Sequence, residues 1–332
     1  MMRAWKRPAQ VLVLVLALLF VLLLLRSQWQ ELQAYPWRLR PTWLLLSALC
    51  MAAGWALEVS VWRDLLRLLG GALPYGAAIR IWFLSAIVRY IPGNVWQPLG
   101  MTLLVRRHGI RAQATVTSIA LYQAVNLLSV AFIAALYFPL TRNLGLLTDL
   151  IGPSSAYFVA LAALPAFIFL WRPLWLIRII NVILERAGRD PLPIALTSGR
   201  LLRALFWTSW TWVLQGGSFT ALTLALTDLT LADLPRVWPH LLVAYPVAYA
   251  IGYISFITPS GLAVREGAAY LMLAPVLGGA PATIVSLAMR IWLTLGELTG
   301  AGLSLLSRPG LRATPVGHSL SAPVNGDPPI RH

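Results

Sequence analysis

Ile257-Thr258-Pro259-Ser260-Gly261-Leu262-Ala263-Val264-Arg265-Glu266-Gly267 sets a turn signal and two opposite charges between two long apolar runs. Proline lacks a backbone donor and glycine accepts unusual dihedrals, so a helix ends here and another begins. A second interruption of the same make, Arg89-Tyr90-Ile91-Pro92-Gly93-Asn94, stands in the first half of the chain. What surrounds them decides whether they are ordinary loops. The 332 residues are 59% hydrophobic and 11% charged, with a mean hydropathy of +0.75. No water-soluble domain carries that composition without exposing large apolar area. The breaks therefore interrupt helices that lie in lipid. The expected fold is all-α, a polytopic transmembrane helical bundle of about seven to eight spans with one or two broken or re-entrant helix pairs.

The formal net charge is +15, with 26 Lys and Arg against 11 Asp and Glu. The arginines cluster between apolar runs, which fits cytoplasmic loops facing anionic headgroups better than nucleic-acid binding. Fifteen tryptophans suit interfacial anchoring. Cys50 is the sole cysteine, so neither an intrachain disulfide nor a thiolate metal site is expected.

Arg3, Lys6 and Arg7 precede a charge-free run from Val11 to Leu25. The residues after it offer no small-x-small cleavage site, so an uncleaved first span with a cytoplasmic N-terminus is expected. Further spans are expected near 42–62, 112–138, 154–171, 204–226, 238–257 and 281–306. Residues 172–203 hold six arginines against Glu185 and Asp190, the clearest cytoplasmic loop. Within it, Leu176 to Arg186 is expected to form an amphipathic surface helix. Loops 139–153 and 227–236, net zero and net minus one, suit the outside. Tail 308–332, rich in Pro, Gly and Ser, is expected to be disordered, which divides the chain into a transmembrane domain, 1–306, and a tail, 307–332.

Asn94 can cap a helix running to Arg106-Arg107-His108, followed by Arg111. Placing these charges outside would oppose the positive-inside tendency, so the segment is expected to enter from the cytoplasm and return to it. The stretch after the second break, Ala268 to Leu277, is too short to cross about 30 Å of hydrocarbon alone. Composition leaves open whether 259–280 crosses or turns back. Paired broken helices point to a midplane substrate site, because half-helix ends present partial charges to a ligand. The competing explanation is that Pro and Gly merely close hairpins.

Arg89-Tyr90-Ile91-Pro92-Gly93-Asn94-Val95-Trp96, with Arg106-Arg107-His108-Gly109-Ile110 after it, resembles a signature of the lysylphosphatidylglycerol synthase transmembrane-region family, the flippase-like membrane proteins. Pro259 to Gly267 resembles that family's second signature, Pro-x-Gly-x-Gly-x-Arg-Glu. The resemblance runs from the first span to about residue 306 and implies a lipid-handling membrane protein. Three places depart from the pattern. Ala263 stands where relatives carry glycine, Gln97 where many are acidic, and Tyr122-Gln123 where many carry Glu-Arg, so roles of those charges do not transfer. The family's best-known members add a soluble aminoacyl-transferase domain. This chain ends in the tail instead, and that activity is not implied.

An ionised side chain at the bilayer centre costs on the order of 3 kcal/mol by insertion scales, so each needs a partner, water or a ligand. Arg265 and Glu266 diverge by about 100° on a helix and should answer to different partners. Arg290 and Glu297, seven apart, share one face of the last span. The expected headgroup site comprises Arg89, Pro92, Gly93, Asn94, Pro259, Gly261, Arg265 and Glu266, with the arginines holding a lipid phosphate. Glu58, Arg290 and Glu297 would balance charge or carry a proton. Structurally, the same arginines could instead pair with Glu297 or Glu58 or snorkel to the interface. His108, His240, His318 and His332 have no metal-binding spacing, and P-loop and dinucleotide fingerprints are missing, so no cofactor and no ATP-driven pump are expected in this chain. The expected function is binding, and translocation between leaflets of the cytoplasmic (inner) membrane, of an anionic phospholipid or lipid-linked intermediate. The alternatives are an accessory subunit presenting lipid to a biosynthetic enzyme, and an intramembrane lipid transferase lacking any convincing nucleophile and base.

Overall fold

The computed structural model describes residues 29–90, 96–141, 174–186, 197–255 and 261–306, with a few single residues between 22 and 172, and for 31, 89–90, 136–141, 176–177, 180 and 183–184 the backbone alone. Among the described residues every regular element is helical: α1 (Trp29–Ala34), α2 (Pro41–Leu68), α3 (Tyr75–Ala86), α4 (Trp96–Arg106), α5 (Ala112–Thr141), α6 (Leu174–Arg186), α7 (Ser198–Leu226), α8 (Leu234–Ile254), α9 (Val264–Leu277) and α10 (Gly279–Leu306). Among the described residues, four helical stretches are long and apolar enough to cross a membrane: Pro41–Leu68, Ala112–Ala135, Leu231–Ile254 and Gly279–Leu306. Pro41 opens α2, where a missing N–H costs nothing. Gly70, at φ +84, stops it in the left-handed turn that follows many helices.

The long helices share two ends. The amide of Arg40 donates to Ala225 O at 3.0 Å and Ser47 Oγ to Ser218 O at 2.8 Å, so α2 and α7 lie antiparallel along their length. At the end they define, Tyr35 Oη donates to Asp228 Oδ1 and Arg40 Nη1 to Leu229 O at 2.8 Å. Partial burial and the Asp228 carboxylate push the Tyr35 hydroxyl up to about 12, so it remains a donor. Arg236, near the start of α8, donates to Val276 O at 3.3 Å. The end of α9 therefore lies where α8 began, and α10 starts from that same end. This resolves what composition left open: the chain after the second break runs back toward the Asp228 end, and α10 returns.

The opposite end gathers Arg63 and Arg67 of α2, Arg106, Arg107 and Arg111 around the α4–α5 turn, and Arg200 and Arg203 of α7. From it α3 rises, and α4 comes back to it, since Ile110 packs in one apolar cluster with Leu66 and Leu73 of the α2–α3 turn. At 12 and 11 residues these helices are about 18 and 17 Å long, well short of a 30 Å core. They form a short hairpin that leaves the basic end and returns to it, the shape a re-entrant pair requires. The last α3 turn tightens to a 3-10 helix, Ile87–Tyr90.

Two large apolar clusters, with a smaller one of Val130, Ile133, Trp212 and Val243, make the core of the described residues. One, built on Trp62, Leu66, Trp82, Met101, Leu121 and Leu201, fills the basic half. The other, built on Phe219, Leu241, Ala244, Leu273, Val285 and Met289, fills the Asp228 half. Lipid tails are as apolar as these side chains, so close packing and buried polar contacts, rather than escape from water, hold the helices together. Hydroxyls along α7 return to the helix itself, as when Thr208, Thr220 and Thr223 donate to carbonyls four residues back. That satisfies these hydroxyl donors within the 29-residue α7 itself, while the buried Trp212 indole N–H on the same helix has no partner among the described residues.

Candidate functional site

Where the two clusters meet, the ionisable side chains of five helices converge. Arg265 leaves the first turn of α9, and the local backbone is shaped to let it do so. Gly261 has φ +71, and Ala263 has φ 66 and ψ −35 and accepts at its carbonyl from the amide of Gly267 at 2.8 Å. An alanine at positive φ is strained by about 1–2 kcal/mol. The position where relatives carry glycine thus keeps a glycine-like conformation with alanine in it. A Cβ on Gly252 of α8 would stand 2.3 Å from Arg265 Cγ, and one on Gly261 2.9 Å from Gly252 Cα. These two glycines form the trough through which the Arg265 stem passes.

The guanidinium lies over the ring of Tyr249, 4.5 Å from its centroid, a contact worth on the order of 1–2 kcal/mol when desolvated. Tyr249 is fixed in turn. Gln123 Nε2 and Asn126 Nδ2 of α5 donate to its hydroxyl at 3.3 and 3.5 Å, and Tyr253 stacks beside it at 6.1 Å. Glu266 points the other way, 3% exposed, with Oε1 4.0 Å from Arg290 Nε of α10. The two adjacent charges do answer to different neighbours. Glu266 Oε2 is buried with no hydrogen-bond donor among the described residues. Glu58 of α2 accepts from Tyr122 Oη at 2.5 Å.

Two small polar compartments adjoin here. One of about 90 Å³ is lined by Glu58, Gln97, Tyr122, Gln123, Tyr253 and Arg265, among others. Its neighbour of about 50 Å³ is lined by Glu58, Gln215, Arg265, Arg290 and Glu297. Arg265, Glu58, Tyr249 and Trp82 line both, so the guanidinium sits at their junction. At 1.5 Å per residue, Arg265 lies about 17 Å along α9 from Val276, and Glu58 about 26 Å along α2 from Pro41. The polar seam thus runs from near the middle of a 30 Å core toward the basic end.

Of the residues singled out in the sequence, Glu58, Arg265, Arg290 and Glu297 share the smaller compartment, and Glu266 borders it through Arg290. Gly261 supplies the trough. Pro92, Gly93, Asn94 and Pro259, and the side chain of Arg89, lie outside the described residues. The first break still reaches the site, because Gln97 and Pro98 in the opening turn of α4 line the compartment that Arg265 enters. Sequence reasoning missed Tyr249, Gly252 and Gln215. Tyr245, Tyr249 and Tyr253, four apart on α8, were a visible signal: one polar-tipped aromatic face on a lipid-soluble helix. Among the described residues no group of His, Cys, Asp and Glu is placed to hold a metal ion.

A helical bundle with apolar outer faces and a buried seam of arginines and carboxylates defines a multi-pass membrane protein with an internal polar site. Lysylphosphatidylglycerol synthase TM region is the family whose pattern matches residues 10–296, and the chain belongs to it. No curated protein and no solved structure matches the chain.

Proposed function

We propose that this protein binds an anionic phospholipid or lipid-linked intermediate by its phosphate and carries it between the leaflets of the cytoplasmic membrane. The observation that carries the proposal is Arg265, held by the Gly252–Gly261 trough at the junction of both polar compartments. Arginine stays charged at any working pH and presents a planar fork to phosphate oxygens. The Tyr249 ring under its face and the glycine trough around its stem fix where that fork stands. Gln97, beside the first break, and Arg89 would complete the cradle from the other hairpin.

Charge counting favours coupling to protons. Around the seam Glu58, Glu266 and Glu297 face Arg265 and Arg290, so an entering phosphate adds to a site already rich in carboxylates. Uptake of one proton with the lipid restores balance, and Glu297 and Glu58, in the compartment with Arg265, are the groups to receive it. The orphaned Glu266 Oε2 suits a headgroup that brings hydroxyl or ammonium donors.

The arginine-rich end is taken as cytoplasmic by the positive-inside tendency. With α7, the apolar run Val11 to Leu25 and the segment 154–171 taken as spans beside the four membrane-length helices, the proposed bundle has seven full spans, besides the shorter α9 and the α3–α4 re-entrant pair. The N-terminus then lies in the cytoplasm. No enzymatic step is assigned.

Translocation of a fluorescent anionic phospholipid in reconstituted vesicles tests the proposal. Arg265→Ala and Glu266→Gln should each slow it, and Glu297→Gln should blunt its response to a proton gradient. Unchanged translocation in both of the first two variants at equal protein level would exclude it. Co-purification with a lipid-biosynthetic enzyme and no transport alone would make the protein an accessory subunit.

A further inference from the structure

Beside the polar seam lies a larger cavity of a different kind. It occupies about 430 Å³ between α2, α3 and α10, and its walls include Ala52, Phe83, Trp292, Leu295 and Leu303. Its one hydroxyl, Thr299 Oγ1, already donates to Leu295 O at 2.8 Å. Water there would find at most the unpartnered indole N–H of Trp292, short of the roughly two to four partners a buried water needs, whereas a hydrocarbon chain gives up nothing. The cavity opens among lipid-facing side chains, since Leu45, Leu49, Leu295, Leu298 and Leu303 are all exposed.

Trp55 connects this groove to the site. It lines both the groove and the compartment that holds Arg265, Arg290 and Glu297. Its position is fixed on both sides. The ring meets Phe83 edge-on at 5.3 Å, and a Cβ on Gly296 of α10 would stand 2.5 Å from its Cη2. The ring bridges a gap, for α10 packs closely on α3 and α9 while α2 packs closely on α7. One side of one indole thus faces fixed charges and the other a dry channel leading to lipid.

We propose that the groove between α2, α3 and α10 holds one hydrocarbon chain of the lipid whose headgroup occupies the polar compartments, with Trp55 as the partition where head and chain join. This rests on the lipid-binding function proposed above and adds to it that the chain is taken up by the protein instead of staying in the surrounding bilayer. A molecule with a phosphate and a long chain matches the two sides of Trp55 as no free anion does. Ala52, exposed on the groove wall, offers a way to fill the groove without disturbing Trp55.

The test is photolabelling of the full chain, in vesicles of phosphatidylethanolamine and phosphatidylglycerol, by phosphatidylglycerol carrying a diazirine on its acyl chain, with the labelled peptides mapped by mass spectrometry. The proposal predicts label on residues 48–59 and 292–303, and a drop of about tenfold in Ala52→Phe, as for denying burial to a couple of methylenes. Ala52→Ser, which leaves the groove open, should keep the label. Label spread evenly over lipid-facing helices, or unaltered by Ala52→Phe, would overturn it. So would crosslinking of the run Val11 to Leu25 into the groove, which would make the occupant the protein's own first apolar segment. Translocation assayed in the same vesicles separates the two proposals. If Arg265→Ala leaves transport intact while the groove is labelled, the headgroup assignment falls and the chain site stands. If transport needs Arg265 and the groove stays unlabelled, the chain site alone falls.

Discussion

The two broken hairpins look alike in sequence and do different work. In the first, α3 and α4 are nearly equal, 12 and 11 residues, and the pair starts and finishes at the basic end. In the second, the 21-residue α8 is paired with the 14-residue α9, whose first turn carries Arg265 and Glu266. The first hairpin brings Gln97, Pro98 and Met101 to the cavity as a wall. The second brings the charges, a trough of two glycines to thread one of them, and a tyrosine to hold it. Repetition of a Pro-Gly break therefore marks where helices stop inside a membrane, while the side chains just past the stop decide what the stop is for.

The largest expected effect would set the hairpins furthest apart. Arg265→Ala should cut lipid translocation by about tenfold to a hundredfold, the usual range for losing a charge-assisted hydrogen bond, with thermal stability in detergent little changed. Gln97→Ala on the first hairpin should cost no more than a few-fold. Equal losses would break the division of labour.

Next come the glycines. Gly252→Ala would force its Cβ to within 2.3 Å of Arg265 Cγ, and overpacking of that kind destabilises by about 1–3 kcal/mol. Gly100 of α4 has only ordinary room to fill, its Cβ meeting Val88 Cγ2 at 3.5 Å. Gly100→Ala should be neutral or stabilise by up to about 1 kcal/mol through helix propensity. Melting temperatures of the two variants in the same detergent check the pair. A smaller loss separates the roles of one ring: Tyr249→Leu should impair transport more than Tyr249→Phe, since Phe keeps the aromatic face and loses only the hydroxyl that Gln123 and Asn126 reach. The smallest change runs the other way. Ala263→Gly should relieve positive-φ strain and stabilise by about 1 kcal/mol, read as a modest rise in melting temperature.

Much of this was legible in advance because lipid leaves few choices. Hydropathy placed the long helices, with boundaries that moved by a few residues: α7 starts at Ser198 and runs through Arg200 and Arg203 before entering the apolar stretch. The arginines after α4 placed the re-entrant pair on one side, because charge near a membrane end has a preferred side. The divergence of Arg265 from Glu266 followed from helical geometry alone. Their partners did not. Tyr249 under the guanidinium and Arg290 facing Glu266 depend on how α8, α9 and α10 pack, and ridge-and-groove packing is invisible in one chain read linearly. Gly252 was passed over for the same reason, as a glycine inside an apolar span is unremarked until a neighbour's side chain crosses it. The alanine at 263 could be flagged only by resemblance, and its backbone shows why relatives use glycine there.

The central claim is that Arg265 holds a lipid phosphate inside the bundle, and native mass spectrometry of gently purified protein tests it most directly. The wild type should retain an anionic lipid at about one per chain through stepwise delipidation, and Arg265→Ala should lose it at the mildest step while staying folded. Equal retention by both proteins, or retention of neutral lipids alone, would contradict the account.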